Sequence, residues 1–83
     1  MMTYYYIWNK MLGLKGQIYA LEYKSKDGSI SKRQIEELIL LEIEHRHWEK
    51  VQSIWDQHGE SAFNGYEPKP EFVDECNKAK ETS

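Results

Sequence analysis

The sequence predicts an α+β fold of ββαα order: an antiparallel β-hairpin packed on one long α-helix, followed by a loop and a short C-terminal helix. Three features carry that expectation. Strand-forming side chains crowd TYYYIW, Thr3 to Trp8. QIYALEYK, Gln17 to Lys24, alternates between two faces. The stretch from Lys32 to His58 holds neither Pro nor Gly and repeats its apolar residues with a helical period.

The first strand is expected at about residues 3–9, where aromatic and β-branched side chains favour a pleated backbone. MLGLKG follows as the hairpin loop, with Gly13 and Gly16 as breakers and Leu12 and Leu14 tucked beneath it. The second strand, about 17–24, places Tyr19, Leu21 and Tyr23 on one face and Ile18, Ala20, Glu22 and Lys24 on the other. Lys26 to Gly28, KDG, is a turn signal that ends the hairpin.

The long helix, 32–58, opens on a capping box, Ser31 with Gln34 three residues on, and closes at Gly59. Ile35, Leu38, Ile39, Ile43, Val51, Ile54 and Trp55 form its apolar stripe. At a rise of about 1.5 Å per residue it reaches roughly 40 Å. Strands of this length span roughly 20–25 Å. The helix therefore either breaks near EHRHW, Glu44 to Trp48, or packs its far end on something else. Asn64-Gly65, Pro68 and Pro70 then impose an extended loop. Pro70 starts a short helix, about 70–79, striped by Phe72, Val73 and Cys76, and 80–83 form a frayed tail.

All 83 residues make one small domain. A core of this size stabilises by only about 3–5 kcal/mol unless a staple or an oligomer helps. The single cysteine, Cys76, excludes a disulfide within the chain, and a lone cysteine without a signal peptide suits a reducing cytoplasm. The longest apolar run, Leu38 to Leu41, falls far short of the ~20 residues a membrane helix needs. Charge is uneven: +2 over residues 1–30, −2 over 31–59 and −3 over 60–83. That acidic balance disfavours nucleic acid, which is held largely by Lys and Arg. Three Trp, six Tyr and two Phe argue against disorder, because disordered chains are poor in aromatics.

One helix covers one face of a hairpin. Strand 1 offers Tyr4, Tyr6 and Trp8 on one side and Tyr5 and Ile7 on the other, so one aromatic face is left over. Each buried aromatic side chain removes about 150–250 Å² from water. The expected consequence is a protein contact at Tyr4, Tyr6 and Trp8, with Trp48 on the helix as a second element. The partner would be another protein or a second copy, giving a homodimer.

Chemistry is sparse. Glu42 with His45, and Glu44 with His47, have the three-residue spacing of half a di-iron carboxylate site, but a solvated, charge-paired helix face explains them better. Cys76 lies on an apolar stripe, where a buried, unreactive thiol is expected. No phosphate-binding glycine loop is present, and no catalytic residue, metal, cofactor or small-molecule substrate is expected.

Leu12 to Ser29, LGLKGQIYALEYKSKDGS, resembles a stretch of small phage and Firmicute winged-helix proteins linked to replication initiation, through Leu12, Gly13, Leu14, Lys15, Gly16, Tyr19, Ala20, Tyr23, Asp27 and Gly28. The match departs from the pattern by about two residues between Gly16 and Tyr19, a rotation of roughly 200° on a helix. The recognition helix and wing have no counterpart. The resemblance implies a second reading, a helix-turn-helix DNA binder with a helical amino end and with Lys32 and Arg33 near phosphates. The leading expectation remains a small, non-enzymatic, cytoplasmic regulatory protein. It would be an inhibitor or adaptor of the kind phages and mobile elements encode as accessory proteins.

Overall fold

A computed structural model describes residues 1–81, with side chains through Lys78. Among these residues lie three α-helices and one very short sheet. Helix α1 spans Tyr4–Asp27 and α2 spans Lys32–His58. A 3-10 turn, Gly59–Ala62, leads into strand β1, Phe63–Asn64, which pairs antiparallel with β2, Glu67–Pro68. Helix α3 spans Pro70–Glu81. Thr82 and Ser83, the end of the tail expected to fray, lie outside the described residues.

The β-hairpin expected over residues 3–24 does not form; both strands and their loop belong to α1. The helix has local signals at both ends. The Thr3 hydroxyl accepts the Tyr6 backbone N–H at 3.1 Å, an N-cap. Gly28, in the left-handed region at φ 76°, stops the helix, and its N–H donates to the carbonyls of Lys24 and Ser25. Lys24 and Lys26 complement the negative end of the helix dipole. Between these ends Ile7, Met11, Leu14, Ile18 and Leu21 recur alternately four and three residues apart, the spacing of a helix–helix seam. Packing along that seam overrides the strand propensity of TYYYIW and the weakening by Gly13 and Gly16, about 1 kcal/mol each.

Helix α2 runs unbroken through Glu44–Trp48. Ser31 Oγ accepts from the Gln34 N–H while Gln34 Oε1 accepts from the Ser31 N–H, so two orphan donors are satisfied at once. What lies beside α2 is α1, antiparallel and comparable in length. Tyr4 meets Gln52 near one end, and Glu22 and Glu42 flank the same groove toward the other. A helix of about 27 residues needs such a partner, and α1 supplies it.

The core is lopsided. Met2, Ile7, Val51, Ile54, Ala62, Phe63 and Cys76 are buried together, with Tyr6, Trp48, Trp55 and Phe72 packed around them. This is where α3 and the small sheet lie against α2. Lys50 pairs with Glu75 at 2.8 Å, and His47 Nδ1–H donates to the Cys76 carbonyl at 3.3 Å. Toward the Gly28 turn only Ile18 and Leu21 are buried. The result is an elongated molecule, 45 × 24 × 17 Å, in which a packed base carries a two-helix arm.

Candidate interaction surface

A helical amino end regroups the aromatic residues. On a strand Tyr4, Tyr6 and Trp8 would share a face; at about 100° per residue they do not. Ile7 turns inward and is fully buried. Tyr6 turns toward the base, half-buried, with its ring 4.7 Å from that of Tyr66 and edge-on to Trp48 at 6.0 Å. Trp48 is half-buried as well, and its Nε1–H donates to Glu44 Oε1 at 3.2 Å. Tyr4 stays exposed and its hydroxyl accepts from Gln52 Nε2 at 3.3 Å. Trp8 is exposed next to Tyr5, ring to ring at 6.0 Å. Of the four residues read from the sequence as contacts, Tyr6 and Trp48 meet inside the molecule while Tyr4 and Trp8 face solvent. The single aromatic face expected of a hairpin is replaced by this division.

The strand reading also put Tyr19 and Tyr23 on one face with Leu21. They are 59% and 73% exposed, whereas Leu21 between them is buried. With Tyr5 at 68%, Trp8 at 44% and Leu12 at 46%, they form a second apolar stripe along α1, whose Trp8, Leu12 and Tyr19 border grooves shared with α2. Lys15 interrupts the stripe, three residues after Leu12 and four before Tyr19, the spacing of neighbours on one helix face. Lys10 Nζ lies 5.4 Å from the centre of the Tyr6 ring, and Lys15 and Glu22 line the groove beside α2 together with Tyr19. The spacing of five, eight, twelve, nineteen and twenty-three was present in the sequence as a helical signal. It is legible only once Gly13 and Gly16 are read as interior to a helix.

The groove between α1 and α2, about 330 Å³, is lined by both signs of charge, including Lys15, Glu22, Glu42, Arg46 and Glu49, with His45 at its floor. His45 Nδ1–H donates to Glu49 Oε1 at 2.9 Å, and its buried Nε2 has no hydrogen-bond partner among the described residues. His45 thus pairs one turn forward with Glu49. His47 points to the Cys76 carbonyl. Among the described residues no three His, Cys, Asp or Glu side chains converge as a metal site would require. Cys76 is buried in the core. No described helix is long and apolar enough to cross a membrane. No family model, curated protein or solved structure matches the chain.

Proposed function

We propose that the chain is a non-enzymatic protein-binding module, an inhibitor or adaptor of a larger protein, which also self-associates. The observation that supports this is the exposed aromatic stripe of α1, with Trp8 and three tyrosines in water. A contiguous exposed apolar surface on a small protein marks an interaction site more often than chance exposure does. Tyr and Trp are also the side chains that dominate binding energy when a partner covers them. A single cysteine fits a reducing setting, and the module is assigned to the cytoplasm on that ground.

The DNA-binding reading requires a helical amino end, which α1 supplies. It also requires two short helices crossing at about 90–120°. Helices of 24 and 27 residues lying side by side do not fit that shape. The test is capture from a lysate of the source cells, with and without Trp8→Ala. Capture lost by a variant that keeps its helical circular dichroism supports the reading, and undiminished capture counts against it. Salt-sensitive retention on DNA would favour the second reading instead.

A further inference from the structure

We propose that the groove between α1 and α2 takes up one amphipathic helix of a partner protein as a third helix of the arm. That helix carries a basic residue at the Glu22–Glu42 end and an acidic residue beside Lys15 and Arg46. This deepens the protein-binding reading above and rests on it.

The groove of about 330 Å³ runs on into a hollow of about 110 Å³ bounded by Trp8, Leu12 and Gln52, and the two share Lys15 and His45. No described residue of α3 lines either; α3 meets α2 through His47, Lys50 and His58 instead. Both walls go on toward the Gly28 turn with exposed apolar side chains. On α1, Tyr23 lies four residues past Tyr19. On α2, Ile35 and Ile39 stand seven residues before Glu42 and Arg46, on the same helix face, 44% and 51% exposed. From Trp8 to Tyr23 the groove is about 22 Å long, the length of a helix of about 15 residues. A helix satisfies its own backbone hydrogen bonds, whereas an extended segment needs a sheet edge, and two helices offer none. Side chains of a third helix interlock with these walls at the same three- and four-residue intervals. Charge sets the register. Glu22 and Glu42 are the charges of the groove nearest the Gly28 turn, and Lys15 and Arg46 lie nearer the base. None of these four makes an ion pair among the described residues, while Glu49 is taken up by His45. A helix in the groove meets all four when its own basic and acidic residues stand four to seven residues apart, as Glu42 stands from Arg46 and Lys15 from Glu22.

The probe is a displayed library of random peptides of about 18 residues, long enough to span the groove as a helix, selected on the full chain. Enriched peptides, made synthetically, are expected to share apolar residues at three- and four-residue spacing, with a basic and an acidic residue four to seven apart. They gain helical circular dichroism on binding, with a micromolar Kd. Ile39→Asp and Glu42→Lys each weaken binding by at least about tenfold while the chain keeps its helicity. A Glu in place of the peptide's basic residue restores binding to Glu42→Lys. No enrichment, peptides without this pattern, or binding indifferent to both variants overturns the proposal. So does a dimer, read by sedimentation equilibrium, that Ile39→Asp dissociates, because a second copy then fills the groove. Lysate capture that needs Trp8 and survives both groove variants refutes the groove helix and leaves the binding reading standing. Capture indifferent to Trp8 as well refutes both.

Discussion

Glu75 shows how one contact sets the behaviour of a residue. Its carboxylate hydrogen-bonds the Lys50 ammonium, which holds its pKa below the usual glutamate value, with Lys50, His58 and Lys78 adding attraction through space. A carboxyl depressed in the folded state favours folding above its unfolded pKa. That contribution is lost as pH falls through the lower, folded value. The pair is solvent-exposed and screened by salt, so its effect on stability is small. NMR titration of the Glu75 carboxyl is expected to give a midpoint below that of an ordinary glutamate, and Lys50→Met is expected to restore it. An unchanged midpoint in that variant would remove Lys50 as the cause. The sequence could not foretell this pair, because Lys50 and Glu75 are brought together only by the packing of α3 on α2.

The helices differ in how openly they announce themselves. Helix α2 carries its boundaries in the sequence, Ser31 and Gln34 at one end and Gly59 at the other, with no interior breaker. Helix α1 also has a cap and a stop, Thr3 and Gly28, but they frame a stretch that reads as two strands. The confusion is physical. Tyr19, Leu21 and Tyr23 are two apart and suit a pleat, while Ile18 and Leu21 are three apart and suit a helix. Two glycines then tilt the reading toward a turn. Since a Cβ at Gly13 meets nothing within 4 Å, Gly13→Ala is expected to stabilise the fold by about 0.5–1 kcal/mol, read from urea unfolding. Destabilisation would mean that α1 is not a continuous helix there. Gly28 is the opposite case: its positive φ disfavours any side chain, so replacing it strains the turn.

At the scale of the molecule, burial is concentrated at one end. Val51 and Ile54 sit among Ile7, Phe63 and Cys76, whereas the arm toward Gly28 relies on Ile18 and Leu21. Local opening costs least where few apolar contacts are lost. Hydrogen exchange is therefore expected to be slowest at the amides of α2 around Val51–Trp55 and clearly faster over Leu21–Ile39. Uniform protection along both helices would contradict a lopsided core, unless a second copy covers the arm, which dilution would reveal.

The sequence by itself determined a single small acidic chain with one cysteine. It also determined a capped helix over Lys32–His58, a proline-opened helix after Pro70, and more aromatic surface than so few residues readily bury. These follow from local chemistry: side-chain caps, missing backbone donors and composition. Only the tertiary structure decided that Thr3–Asp27 is a helix, and hence which aromatic rings lie inside and which lie in water. Its local preferences for strand and helix are nearly balanced, and the long apolar seam offered by α2 is what tips them.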